Sequence, residues 1–255
     1  MAMAGNDVSD AFSCGNKTVT IRRSDAPGVP IVFLNEFEDD GATVWNACRS
    51  PAKPGTGGDP LPRCAPFSLV TVSGLAWDRE LTPWPASATR AGQADYGGEA
   101  RDHLRLLTED VVPRALAALA ADSGDGPMLV LAGYSLAGLF ATWAAFNTSL
   151  FRRTASVSGS LWYPGFVDYV RDHELAPTVE RMYFSVGNRE RKVPNRTMRS
   201  VQDDTIRIRS LVEERGVRTT FDLNSGNHFT GFARRMRKAL AWTLRQEDVP
   251  GPRGA

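Results

Sequence analysis

The chain has 255 residues, 42% of them hydrophobic, 23% charged and 9% aromatic, with a formal net charge of +1. That composition belongs to a folded globular chain and excludes a disordered, collagen-like or coiled-coil protein. Near-neutrality gives no basis for a polyanionic partner, so no nucleic-acid role is expected.

Read from the N-terminus, residues 1–16 offer few apolar anchors and are expected to be flexible. They lack the basic start and apolar run of a secretory signal. Strands are predicted at Thr18–Arg22 and Pro30–Leu34. The stretch Ser50–Pro66 is rich in Pro and Gly and reads as an irregular loop. A strand at Phe67–Val72, a loop over 85–98 and a long helix at Glu99–Ala121 follow. Then come strand Met128–Ala132, helix Leu136–Asn147, strand Thr154–Ser158, helix Gly165–His173 and strand Arg181–Val186. Helix Arg196–Arg215 should stop before Gly216. Strand Thr219–Leu223, helix Phe229–Gln246 and a flexible tail at 248–255 complete the chain.

Short apolar strands separated by helices imply an α/β fold with a mostly parallel central sheet covered on both faces. One domain over 17–247 accounts for it. Only 22 residues separate Ser158 from Arg181, too few for a substantial cap domain. No apolar run reaches the roughly 20 residues of a membrane helix, so no membrane partner and a cytoplasmic location are expected. Cys14, Cys48 and Cys64 form neither a closed disulfide framework nor a zinc spacing, and reduced thiols are expected. Cys48 and Cys64 flank the Pro/Gly-rich loop and could meet in space.

Chemistry concentrates in Met128-Leu-Val-Leu-Ala-Gly-Tyr-Ser-Leu-Ala-Gly-Leu-Phe-Ala141, a buried strand that turns at a serine straight into an apolar helix. This matches the nucleophile elbow Gly-x-Ser-x-Gly, with Ala137 in place of the second glycine. Small residues at 133 and 137 leave room for a tight, strained turn. The serine then projects at a helix N-terminus, where amides can stabilise an oxyanion.

A serine hydroxyl needs a base, and the chain has three histidines. His103 reads as a surface or groove residue of the long helix, and His173 as solvent-facing. His228 follows the last strand, where the order Ser…acid…His requires it. Between serine and histidine, Gly187-Asn-Arg-Glu-Arg-Lys-Val-Pro194 resembles the Gly-x-x-Asp-x-x-Val-Pro pattern of many α/β-hydrolases, with Glu190 in the acid position. Asp203, Asp204 and Asp222 are its rivals. Oxyanion donors are expected from the backbone of Leu136 and of Glu36 or its neighbours.

Several ordered segments together carry a resemblance: Phe33-Leu-Asn, Trp77-Asp-Arg-Glu-Leu-Thr-Pro-Trp84, Gly133–Gly138, Ser158-Gly-Ser-Leu-Trp162, Ser185–Glu190 and Gly226-Asn-His-Phe229. Over roughly residues 28–245 the chain resembles the putative-esterase branch of the α/β-hydrolase superfamily, which includes esterase D-like enzymes and siderophore trilactone esterases. The resemblance implies an α/β-hydrolase fold and hydrolysis of carboxylic esters by Ser135, Glu190 and His228, with no metal or organic cofactor. An acyltransferase using the same acyl-enzyme, or a non-catalytic binding module, is the alternative.

The absence of a cap suits a bulky, aromatic or oligomeric ester in an open site, and Tyr134, Trp84 and Trp162 are candidates to contact it. Charge is uneven: residues 1–150 hold 11 Lys+Arg against 17 Asp+Glu, whereas 151–255 hold 19 against 12. Solvated faces are the default reading for the two basic runs, Arg189, Arg191, Lys192, Arg196, Arg199 and Arg234, Arg235, Arg237, Lys238. Oligomeric state leaves no mark in the sequence.

Overall fold

Continuously apolar runs such as Ile31–Asn35 bury both faces of their strands, and helices must therefore cover the sheet on two sides. The computed structural model describes residues 10–51, 61–89, 92–119 and 126–246. Its strands are β1 (Asp10–Cys14), β2 (Lys17–Arg22), β3 (Ile31–Asn35), β4 (Ser68–Ser73), β5 (Pro85–Ala86), β6 (Tyr96–Gly97), β7 (Leu129–Tyr134), β8 (Arg153–Val157), β9 (Arg181–Gly187) and β10 (Arg218–Asn224). The α-helices are α1 (Ala42–Arg49), α2 (Trp77–Glu80), α3 (Ala100–Leu106), α4 (Val112–Ala118), α5 (Leu136–Ala144), α6 (Phe166–Asp172), α7 (Val201–Glu213) and α8 (Phe232–Thr243).

One eight-stranded sheet runs in the order β1-β2-β4-β3-β7-β8-β9-β10. Pairs from β4 to β10 are parallel, and β2 alone opposes both its neighbours. The strand order reverses at β3, which lies between β4 and β7, so a crevice opens at the carboxyl ends of β3 and β7. One face of the sheet buries Phe33, Leu131 and Val70 against α3, α4, α5, α6 and α7, through side chains such as Phe140, Phe166 and Ile208. The other face buries Val32, Leu34 and Ala132 against Trp45 of α1 and Met236 and Leu240 of α8. Between β8 and β9 the chain adds α6 alone, as the expected lack of a cap requires.

Several elements depart from the sequence reading. The stretch 1–16, expected to be flexible, contributes β1, paired to β2 across a two-residue Gly15-Asn16 turn with Gly15 at φ 59°. Helix α1 falls between the predicted strand Pro30–Leu34 and the Ser50–Pro66 loop, where no helix is predicted; Asp39 and Asp40 start it by accepting the Ala42 amide at 2.9 and 3.0 Å. The single helix expected at Glu99–Ala121 is α3 and α4 joined by a π turn, Leu107–Val111. Pro113 at the head of α4 supplies no amide and crowds the preceding turn, which widens. Ala121 lies outside the described residues, as does the tail at 248–255. Helix α8 starts at Phe232 rather than Phe229, because Asn227 Oδ1 captures the Phe229 amide and the Thr230 hydroxyl in a local turn. Helix α7 ends as expected, with Gly216 at φ 82°.

Candidate active site

Strand β7 delivers Ser135 to the crevice, and α5 begins at the next residue. Ser135 has φ 59° and ψ −124°, a conformation that a side chain adopts only when its surroundings impose it. The carbonyl of Ser135 accepts the amides of Gly138, Leu139 and Ser160 at 3.0–3.1 Å, and its own amide reaches Val157 O at 3.2 Å. Glycine at 133 is obligatory, since a Cβ there would lie 2.2 Å from the Ala137 backbone.

His228 Nε2 lies 3.0 Å from Ser135 Oγ, and Nδ1 lies 2.8 Å from Glu190 Oε2. An ionised carboxylate only accepts, so Nδ1 carries the proton and Nε2 is left to accept from the serine hydroxyl. Burial works against the Glu190 charge, but the His228 hydrogen bond and charge and the Gly187 amide outweigh it and hold the carboxyl below its ordinary value. Each part of this line comes from a separate strand end: Ser135 after β7, Glu190 three residues past β9, His228 four past β10. Asp204 bonds the Ser200 hydroxyl, and Asp222 holds Tyr183 and Lys238 at 2.8 and 2.9 Å, so these two rivals for the acid position are engaged elsewhere. Asp203 sits exposed on α7. Among the described residues no cluster of His, Cys, Asp or Glu is placed to hold a metal ion.

The sequence profile of a family described as "Putative esterase" matches residues 65–243. The chain belongs to this esterase family. The esterase is 24% identical over 169 residues to YbbA of Bacillus subtilis (strain 168), an uncharacterized protein, covering 64% of this chain and 67% of that one. Its fold is similar to an IroE-like serine hydrolase from Shewanella oneidensis (TM-score 0.72, 15% identity, 89% of this chain and 75% of that chain). It is similar too to the siderophore hydrolase EstA from Aspergillus nidulans (TM-score 0.69, 16% identity, 95% of both chains). The architecture is thus that of α/β-hydrolase-fold esterases. Among the described residues no helix is long and apolar enough to cross a membrane.

Other candidate positions fare differently in the esterase. Leu136 opens α5, so its amide is among the N-terminal donors without an intrahelical acceptor. The Glu36 amide, in contrast, is committed to Val72 O at 2.9 Å, extending the β3–β4 ladder, and is not free to meet an oxyanion. Its side chain is the notable part: 8% exposed, with Oε1 lacking a hydrogen-bond partner, and pushed up to about 8 by burial and the Asp39 charge. Tyr134 donates its hydroxyl to the His228 carbonyl at 2.5 Å and so braces the histidine loop. Trp84 donates to Pro164 O at 2.9 Å and packs on Tyr163, Phe166 and Tyr169, while Trp162 packs on Tyr96 and Tyr163. Both tryptophans serve to fix the loop after β8.

His103 is not a surface residue: it is 3% exposed, bonded to Asn35 Oδ1 at 3.0 Å and lowered by burial to about 4. The basic run after Glu190 is exposed, as expected for a solvated face. The run on α8 is not. Arg234 is exposed, but Arg235 and Arg237 are 2% and 3% exposed, and Arg235 Nη1 bonds Glu190 Oε1 at 2.8 Å. Spacing along α8 carried the signal, because Arg235 lies beside Met236 and four residues before Ala239 on the buried stripe. The Cys48 and Cys64 thiols are free and interact with each other.

Proposed function

We propose that the esterase acts through an acyl-enzyme on Ser135, with His228 as general base and acid and Glu190 as the acid that orients it. The observation that carries this reading is the unbroken hydrogen-bonded line from Glu190 through His228 to a serine held at φ 59°. His228 Nε2 takes the hydroxyl proton as Oγ attacks the ester carbonyl. The Leu136 amide, at the positive end of α5, meets the developing oxyanion. His228 then returns the proton to the leaving alcohol, and the same imidazole activates the water that releases the acid.

The substrate class we assign is a bulky or aromatic ester in an open site. With α6 alone between β8 and β9, no cap is inserted there over the serine among the described residues. Phe229 is 80% exposed and edge-on to the His228 ring at 5.3 Å. Phe37, in the loop after β3, is 57% exposed and edge-on to Trp77 at 5.4 Å. An exposed ring beside His228, with a second exposed ring on the loop after β3, suits an apolar or aryl group better than a small polar acyl group. The names of the IroE-like and EstA neighbours, serine hydrolase and siderophore hydrolase, accord with hydrolysis through a serine.

Hydrolysis of p-nitrophenyl acetate, butyrate and benzoate tests the reading. Wild type is expected to turn over all three, and Ser135→Ala to lose at least about 1,000-fold in kcat. Turnover by Ser135→Ala within tenfold of wild type would remove Ser135 from the mechanism.

A further inference from the structure

A serine, a histidine and a glutamate complete the proposed triad, yet a fourth side chain is built into the same hydrogen-bonded assembly. Arg235 enters from α8 and is 2% exposed, so its guanidinium has given up nearly all its hydration. Nη1 donates to Glu190 Oε1 at 2.8 Å and to Ser158 Oγ at 2.8 Å, and reaches the Tyr134 hydroxyl at 3.2 Å. Nη2 donates to the carbonyls of Ser225 at 3.1 Å and Asn227 at 2.8 Å. These acceptors belong to the end of β7, the turn after β8, the turn after β9 and the loop that carries His228. Only a planar fork with several donors spans them; an ammonium is a point charge on a flexible stem.

The surroundings are shaped for that fork. A Cβ at Gly187 would lie 2.6 Å from Arg235 Nη2 and 2.5 Å from Gly226 O. Ser158, one of the acceptors, is itself held at φ 47°. Glu190 is gripped from both sides: Oε1 accepts the Gly187 amide at 2.5 Å and Arg235, and Oε2 accepts His228 Nδ1.

We propose that Arg235 is a positioning residue of this reaction, which keeps the buried Glu190 ionised with Oε2 turned to His228 and offsets the carboxylate's field at the imidazole. The proposal rests on the triad reading above and goes beyond it. Two consequences of removing the cation point the same way. A Glu190 that takes up a proton no longer orients His228; a Glu190 that stays charged stabilises the imidazolium without compensation. Either route moves the acid limb of the kcat/KM profile to higher pH. The other titratable group touching Arg235 is the Tyr134 hydroxyl of β7, which burial keeps above its ordinary value and hence protonated in that range. On the adjoining elements, Arg189, Arg191 and Lys192 are exposed beside Glu190, and Lys238 of α8 is paired with Asp222 of β10 at 2.9 Å.

The test is the pH dependence of hydrolysis by wild type, Arg235→Met and Arg235→Lys, with fluorophosphonate labelling of Ser135 run in parallel. Arg235→Met is expected to move the acid limb up by about one pH unit, lower kcat at least about tenfold and leave KM within about twofold. Arg235→Lys keeps the charge but loses the fork, so the limb should stay within about 0.3 units of wild type while kcat falls about tenfold. Should Arg235→Met fail to fold, Arg235→Lys carries the test, and full activity or a displaced limb in that variant overturns the proposal. An unmoved limb in folded Arg235→Met overturns it as well. If neither variant folds, Arg235 is a folding residue alone and the proposal falls. A wild type that fluorophosphonate does not label at Ser135 removes the triad reading itself; labelled wild type with an unmoved limb removes only the role of Arg235.

Discussion

Ser135 pays for its position within its own turn: a non-glycine residue at φ 59° costs about 1–3 kcal/mol, offset by three amides converging on its carbonyl. The hydrogen-bonded meeting of Ser135, Glu190 and His228 was legible because each sits in a short local pattern next to a strand end. Arg235 and Glu36 were not, since their roles depend on which way a helix face or loop turns in three dimensions. Glu36 has a consequence for stability. The folded chain keeps its proton up to about pH 8, whereas an unfolded chain releases it near 4.5. Between those values the folded state binds more protons, so this group's contribution to stability, complete below 4.5, is lost as pH rises through 8. Glu36→Gln removes that loss. Thermal melts are expected to show the variant at least about 3 °C above wild type in Tm at pH 8, with a smaller difference at pH 5. An equal shift at both pH values would contradict a carboxyl held protonated by burial.

At the scale of elements, buried arginines act as caps supplied from outside the helix. Arg153 at the start of β8 donates to the carbonyls of Thr243 and Arg245 at 2.8 and 2.9 Å, and Arg181 at the start of β9 donates to those of Trp242 and Arg245 at 3.0 Å. Both satisfy the C-terminal end of α8, where cations are also favoured by the helix dipole. Arg237 does the same for α1, donating to Ala47 O and Ser50 O, and holds Pro62 O, all at 2.9 Å. Arg237→Met strips three carbonyls of a buried charged donor and is expected to destabilise the fold by about 3 kcal/mol in urea unfolding. Because Arg237 lies one turn or less from Arg235 but bonds neither Glu190 nor His228, kcat of the folded variant should stay within about twofold of wild type. A loss below about 1 kcal/mol would mean that water replaces the guanidinium at little cost. The same physics explains what the sequence concealed. Apolar periodicity revealed the long strands and helices, but α1 offers only Val44, Trp45 and Cys48 as buried positions. Strand β1 is short and mostly exposed, so the Gly15-Asn16 turn was its one clear mark.

For the molecule as a whole, the basic surplus of residues 151–255 is partly internal. Arg153, Arg181, Arg235 and Arg237 are all buried and bonded, so the surplus does not translate directly into a positive surface. These four side chains lash α8 to β8, β9, α1 and the His228 loop, which makes that helix the common support of the far face and the proposed triad. In the proposed reaction Ser135 is the activated nucleophile and His228 its base. The most direct measurement is the site and rate of fluorophosphonate labelling, read by peptide mass spectrometry on wild type, His228→Ala and Glu190→Gln. A single adduct on Ser135, formed at least about 100-fold more slowly in His228→Ala and at an intermediate rate in Glu190→Gln, is the result expected. Labelling at another residue, or a rate on Ser135 indifferent to His228, would contradict it.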